Sequence, residues 1–342
     1  GDFHRQNTQE MPSRALLEAL WDTETVALKM LGHSRNKRLK FQQYEFRKTR
    51  YYALLAFFLG FLKEHGFQKI VFSQAPQRAG LFILLKLAEE QGLELKIFHR
   101  LPFGDSRLTS SSLDFPEPAA GVLSETIAKS IPRADSDQLP SLIKGTSPKA
   151  SSPLVFRIPN ALARRKIKTI STLPTNFIYF PLDQSSASEA APFAGSFTEP
   201  YLAILTLARA LPSDTKLLVQ EQESPCETER SPEFYQILSA EPKIAFAKPT
   251  HDRLDLIRKA KAVATLSGNV GWIGALLGKS CIILGSAFYQ EMPGVHCYQN
   301  PTALRQFIES SPQPGEFNEF LARHSQNLSA SLTEALTTSA TL

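Results

Sequence analysis

The chain has 342 residues, 42% of them apolar and 21% charged, with 38 Lys and Arg against 33 Asp and Glu. That leaves room for two domains with sizeable cores, and an excess of only +5 is too small to argue for nucleic acid as a partner. Cys226, Cys281 and Cys297 stand alone, none in a C-x-x-C pair. This fits packed thiols in a reducing compartment and gives no zinc signature. No secretory signal opens the chain, so a cytoplasmic location is expected.

Taken in order, "MPSRALLEALWDTETVALKML" has helical spacing, with Leu16, Leu17, Leu20, Trp21, Val26, Leu28 and Leu31 as its apolar positions. A second long helix is expected from about Phe41 to His65. Its centre, "YYALLAFFLGFL" (Tyr51 to Leu62), has twelve residues. A membrane span needs about 20, so this run reads as a buried helix. Between Arg35 and Arg50 lie seven Lys or Arg and one Glu, and Arg164, Arg165, Lys166 and Lys168 form a second basic cluster. Each is either a solvated helix face, the favoured reading, or a docking surface for an anionic membrane or acidic substrate.

The run "KIVFS" (Lys69 to Ser73), a helix over Leu81 to Glu90 and "LELKIF" (Leu93 to Phe98) make the strand–helix–strand rhythm of a parallel sheet. Periodicity weakens from Leu101, and Pro132 to Pro153 is rich in Pro and Ser, a linker signal. After the strand "FIYFPL" (Phe177 to Leu182) and a small-residue loop, the alternation becomes regular. Helices start at Pro200, Pro232, Arg253 and Val270. Strands are expected at Lys216 to Gln220, Lys243 to Lys248, Ala262 to Ser267 and Ser280 to Gly285. Helices from Pro301 and Glu316 close the chain. The expectation is an α/β protein with two Rossmann-like domains facing a cleft: residues 1–165, with the leading helices, and residues 166–342. Ligands of open α/β sheets bind outside the carboxyl ends of the strands. That points to the turns after Ser73, Gln220, Lys248, Ser267 and Gly285.

In "TLSGNVG", Ser267, Gly268 and Asn269 lie between a strand and a helix, where unpaired N–H groups and the helix dipole favour an anion. Gly268 and Gly271 would let a ligand approach the backbone. The spacing matches neither G-x-G-x-x-G nor a Walker motif, so a tight turn without a ligand is an equal reading. His251 follows the strand "KIAFAK" and is a candidate acid, base or phosphate contact, or else a residue of the helix start behind Thr250. "FHRLPFGDSR" places His99, Arg100, Asp105 and Arg107 just past a strand end, where a solvated loop is the favoured reading for each. Ser73 and Gln74 end the first strand, at a place where an acceptor sugar would sit.

The stretch "KLLVQEQES…RSPEFYQIL…KIAFAKPTHDRLDLIRKAKAVATLSGNVGWIGALLGKSCIILGSAFY" resembles the capsule polysaccharide biosynthesis proteins, a family that includes bacterial Kdo transferases using CMP-activated sugar. "FIYFPLDQ" resembles the family's opening strand, and "KIVFSQAPQRAGLF" more weakly its N-terminal strand and turn. The resemblance covers about Tyr179 to Tyr289. It implies a GT-B-like fold with the donor nucleotide held by the C-terminal domain and the acceptor side supplied by the N-terminal one. The activity implied is transfer of a sugar, from a CMP-sugar before other nucleotide-sugars, to a glycan or lipid-linked acceptor in surface-polysaccharide synthesis. The nucleotide-sugar is a co-substrate, and no cofactor or metal is implied. Arg230 matches the family's Arg ahead of the Tyr235 helix and is a phosphate or sugar contact in that reading, or else part of a surface ion pair.

This chain departs from the pattern at three polar positions. Gln222 and Glu223 stand where the family has His-Pro, Ile273 where it has a Glu, and Pro76, Gln77 and Arg78 where it has Pro-His-Glu. Gln can donate a hydrogen bond but carries no charge, and Ile can bind no ribose hydroxyl. The expected donor contacts are therefore Ser267, Gly268, Asn269, Gly271, Gln222, Arg230 and His251. His251, Arg78 and Asp105 are candidates for catalysis, with Glu221 or Glu223 as neighbours if the alignment slips. The alternative is a degenerate relative that binds a glycan or protein partner without chemistry. An epimerase of the same fold would show several acidic and His residues at the cleft, which are not found.

Overall fold

In the computed structural model, residues 12–32, 44–100, 107–113, 169–182, 191–197, 199–221, 230, 232–290, 292, 294–310 and 328–329 are described. The protein is α/β, with a four-stranded sheet in the first half and a seven-stranded sheet in the second.

The leading helical pattern is split in two. α1 (Arg14–Ala19) is capped by Ser13, whose hydroxyl accepts from Leu16 N at 3.2 Å. It stops at Leu20 (φ −96°, ψ 16°), a residue 2% exposed that anchors the joint in the core. α2 (Trp21–Gly32) and α3 (Tyr44–His65) follow. The apolar run expected to be a buried helix lies within α3. Tyr51, Leu55, Leu59 and Leu62 face inward at helical spacing, and Gly66, at φ +59°, ends the helix in the left-handed region. β1 (Lys69–Phe72), α4 (Ala79–Glu90) and β2 (Glu94–Arg100) form a parallel β–α–β unit with Lys69 opposite Glu94.

Beyond β2 the sheet is not parallel. β3 (Arg107–Ser110) pairs antiparallel with β2, and β11 (Leu328–Ser329) antiparallel with β3. Only six residues separate Arg100 from Arg107, too few for the crossover that a parallel pairing needs. The four described helices of this half pack on one cluster with Leu55, Ile83, Leu85, Leu87 and Ile97 at its centre, each 0% exposed. Burial of each such side chain is worth roughly 1.5–3 kcal/mol.

The second sheet is parallel throughout. Its strands are β4 (Thr169–Ile170), β5 (Phe177–Pro181), β6 (Lys216–Gln220), β7 (Ile244–Ala247), β8 (Ala262–Thr265), β9 (Ser280–Ile283) and β10 (Val295–Cys297). Their order is β10-β9-β8-β5-β6-β7-β4. Counting β5 as strand 1, the order without β4 is 3-2-1-4-5-6, that of the dinucleotide-binding folds. Strands β5, β8 and β9 are buried at every residue, as a parallel sheet covered on both faces requires. Alternate residues serve the two faces. Tyr179, Val263 and Ile283 pack with α7 (Arg253–Lys259) and α8 (Asn269–Leu276). Phe180, Ala264 and Ile282 pack with α5 (Pro200–Ala210), α6 (Pro232–Ser239) and α9 (Pro301–Ser310).

The expected division at residues 165 and 166 lies outside the described residues. β11 belongs by pairing to the first sheet although it falls in the range assigned to the second domain. A strap after β5 ties the halves. Ala191 packs in the first core with Phe193 against it, Phe197 lies in the second core, and Glu199 pairs with Lys29 of α2. Phe193 O accepts from Ser286 N at 2.7 Å. A Cβ on Gly285 would meet that oxygen at 2.1 Å, so the strap seats only because residue 285 is glycine. Among the described residues no helix is long and apolar enough to cross a membrane.

Candidate functional site

The strand order reverses between β5 and β8, and the crevice of such a sheet opens at that point, at the carboxyl ends. β8 ends at Thr265 and delivers Ser267, Gly268 and Asn269 there, each at least partly exposed. Gly268 is the residue before α8, at φ −80° and ψ 156°, with no side-chain cap. It therefore needs no left-handed freedom. Both ends of Gly268 are held from behind. Its N–H donates to Thr265 Oγ1 at 2.9 Å, and its carbonyl accepts from the Tyr289 hydroxyl at 2.5 Å. Gly268 N is thus committed to the fold. Among the described residues no acceptor meets the N–H groups of Asn269 and Val270, the first-turn donors left for an anion.

Gly271 and Ile273 serve packing. A Cβ on Gly271 would meet Tyr289 Oη at 2.3 Å and its ring at 2.9 Å, so the room is filled by Tyr289 and not kept open for a ligand. Ile273 is 1% exposed in the core. The Gly-Lys of the motif ends α8. Gly278 takes φ +70°, Lys279 N reaches back to Gly274 O at 2.8 Å, and Lys279 Nζ bonds Ala260 O at 3.0 Å.

Arg230 Nη1 lies 2.7 Å from Glu221 Oε1, and Tyr235 donates to Glu221 Oε2 at 2.6 Å. Glu221 is 6% exposed, so the two form a buried ion pair just past β6. Gln222 and Asp105 lie outside the described residues. Gln220, fully buried, accepts from the Tyr179 hydroxyl at 2.5 Å. It donates to Lys248 O at 3.1 Å and His251 O at 2.9 Å, fixing the turn after β7. His251 sits on that turn with Nδ1 shielded from solvent and without a hydrogen-bond partner among the described residues. Asp252 takes the cap of α7, accepting from Leu254 N and Asp255 N.

On the first sheet, Gln77 and Arg78 are exposed at the start of α4, beyond the carboxyl end of β1. Among the described residues neither a hydrogen bond nor an ion pair joins Arg78 to the second sheet. His99 and Arg100 are residues of β2 and Arg107 opens β3. They do not sit in a loop past the strand end. His99 is 4% exposed, and burial pushes its pKa down to about 4. The Ser110 hydroxyl donates to Ser112 O, so it accepts from His99 Nε2–H at 2.7 Å and fixes the neutral tautomer. The thiol of Cys281, pushed up to about 12 by burial, donates to Gly271 O at 2.8 Å and is inert. Among the described residues no group of three or more His, Cys, Asp or Glu is placed to share a metal ion.

Sequence reasoning did not single out Thr265, Tyr289 or Gln220 as the residues that hold these turns. Tyr289 and Thr265 lie inside the quoted motif, which was the available signal. Gln220 reads in sequence only as the end of a strand.

No family model and no curated protein matches this chain. Among solved structures it is similar to Thermosulfurimonas dismutans KpsC, beta Kdo 2,7 transferase (12% identity, 74% of this chain and 78% of that one, TM-score 0.35). It is also similar to Methanocaldococcus jannaschii UDP-GlcNAc 2-epimerase in complex with UDP-GlcNAc and UDP (11%, 84% and 80%, TM-score 0.35). A third is AviGT4, a glycosyltransferase involved in avilamycin A biosynthesis (16%, 60% and 60%, TM-score 0.27).

Proposed function

We propose that this protein is a nucleotide-sugar-dependent glycosyltransferase of surface-polysaccharide synthesis. It works in the cytoplasm and passes a sugar, from a CMP-sugar first among donors, to a glycan or lipid-linked acceptor. The observation that carries this reading is the α8 turn: Ser267 to Asn269 stand at least partly exposed at the point where the strand order reverses, with the Asn269 and Val270 N–H groups unspent among the described residues. A departing phosphate gathers charge, and fixed amides stabilise it at little reorganisation cost. A lipid-linked acceptor would bring the protein to the inner face of the membrane as a peripheral partner, with the basic stretch Arg35 to Arg50 as contact.

The test is a thermal-shift panel of CMP, UDP, GDP and their sugars, followed by Asn269→Asp. An acid in the first turn suits the helix, so the variant should fold, yet it opposes a phosphate by about 1–4 kcal/mol. Nucleotide affinity should fall roughly fivefold or more. No shift with any nucleotide at millimolar concentration defeats the proposal.

A second reading, a binding protein without chemistry, is favoured by one specific observation. Positions that carry polar contacts in the family resemblance are spent here on the fold, with Ile273 in the core and Arg230 on Glu221. Nucleotide binding without transfer of labelled sugar to any membrane extract would select it.

A further inference from the structure

The turn leaving β7 has a feature that the α8 turn does not explain. Lys248, Pro249, Thr250 and His251 form a tight turn closed by His251 N on Lys248 O at 3.0 Å. The fully buried amide of Gln220 is spent on the carbonyls of Lys248 and His251. The turn is therefore held rigidly, and it presents cations. Lys248 is half-buried, and no described side chain pairs with it. His251 Nδ1 and Arg253 Nη2 are both shielded from water and have no hydrogen-bond partner among the described residues. Shielded polar atoms without a hydrogen-bond partner are rare in folded proteins, and each one calls for an explanation.

The neighbouring carboxylates among the described residues do not supply one. Asp252 caps α7, Asp255 pairs with Lys259 at 2.8 Å, and Glu221 is held by Arg230 and Tyr235. Among the described residues, then, neither Lys248 nor Arg253 has a carboxylate partner at this edge.

We infer that the β7 turn is an oxyanion subsite in which Lys248, His251 and Arg253 hold a phosphate or carboxylate group. β7 lies three strand positions from β8 in the sheet order, which at ordinary strand spacing is about 14 Å. One phosphate cannot occupy both this turn and the α8 turn. The subsite therefore takes a second anionic group, carried by the substrate or supplied by a free anion.

The experiment is a histidine-ring NMR titration of the full chain with sodium phosphate at constant ionic strength. The His251 signal is identified by its loss in His251→Gln. The expected result is a saturable shift of His251 that weakens roughly tenfold or more in Lys248→Gln/Arg253→Gln, since bonds to charged groups are worth about 1.5–3 kcal/mol. If the double variant loses its native circular dichroism, Lys248→Gln alone gives the reading. A His251 signal that ignores phosphate, or responds equally in the variants, marks a merely solvated basic surface and overturns the inference. Saturating CMP separates the sources. Phosphate that still titrates His251 beside bound CMP establishes a second anionic group, while competition between them places both on one site and defeats the claim. If CMP does not bind but phosphate shifts His251, the subsite stands and the donor-site reading falls.

Discussion

At the scale of single residues, the glycines of the α8 motif serve packing and turn geometry. Gly271 makes room for Tyr289, and Gly268, at negative φ, is held by Thr265 and Tyr289. His99 shows what burial does to a titratable group. Its ordinary pKa of 6.5 is lowered to about 4 because the sheet and helices shut out the water that would solvate the cation. Above pH 6.5 neither the folded nor the unfolded chain protonates this ring. Between 6.5 and about 4 only the unfolded chain does, so stability falls as pH falls through that window. The limit is about 1.4 kcal/mol per pH unit, with His296, also lowered by burial, adding in the same direction. His99→Gln keeps a donor for Ser110 and removes the titration. Urea unfolding at pH 7.5 and 4.5 should show wild type losing on the order of 2–3 kcal/mol more than the variant. Equal losses would mean that His99 is protonated in the folded state.

At the scale of elements, the middle of β5, the end of β6 and the turn after β7 are joined by polar side chains inside an apolar sheet. Tyr179, Gln220 and the β7 turn form one network, and Glu221, Arg230 and Tyr235 another. Removing one partner of a buried ion pair leaves the other charge stranded, at a cost of about 3–5 kcal/mol. Arg230→Met should therefore lower the unfolding free energy by that order, read by urea denaturation, with little change in nucleotide affinity for the folded fraction. The opposite pattern, intact stability with lost nucleotide binding, would return Arg230 to the role of phosphate contact.

At the scale of the whole molecule, the two halves meet through the strap from Ala191 to Glu199. It has residues in both cores and a backbone bond from Ser286 to Phe193. The strap approaches Gly285 so closely that a methyl group would strike Phe193 O at 2.1 Å and Ala194 Cα and Leu266 O at 3.0 Å, all backbone atoms. Gly285→Ala must push the strap away, with an overpacking cost of about 1–3 kcal/mol. Amide exchange at Ser286 should accelerate, while β5 and β6 keep their protection. Unchanged exchange at Ser286 would show that the strap adapts without releasing its bond.

What the sequence determined by itself is the second half. Its continuous apolar strands and amphipathic helices alternate so regularly that Lys216–Gln220 falls where the pattern places it, and the other elements expected between Phe177 and Gly285 end within a residue or two, whereas β10 was not expected and the helix expected from Glu316 lies outside the described residues. Local periodicity encodes these elements directly, because each side of a parallel sheet must be covered. The sequence also located the turn after β8, since a strand, two glycines and a helix are a local signal.

The tertiary structure decided the rest. Short edge strands such as β3, β4 and β11 are made by pairing and not by their own composition, so β3's antiparallel return was invisible in a strand–helix rhythm. Side-chain roles depended on partners far along the chain. Arg230 was assigned by Glu221, the space at Gly271 by Tyr289, and His99 by the Ser110 hydroxyl eleven residues on. The unpartnered Lys248 and Arg253 of the β7 turn became visible only when Asp255 and Glu221, the described carboxylates nearby, were found paired elsewhere. Pairing across the chain, a matter of distance in space, is what turns a list of polar residues into a site.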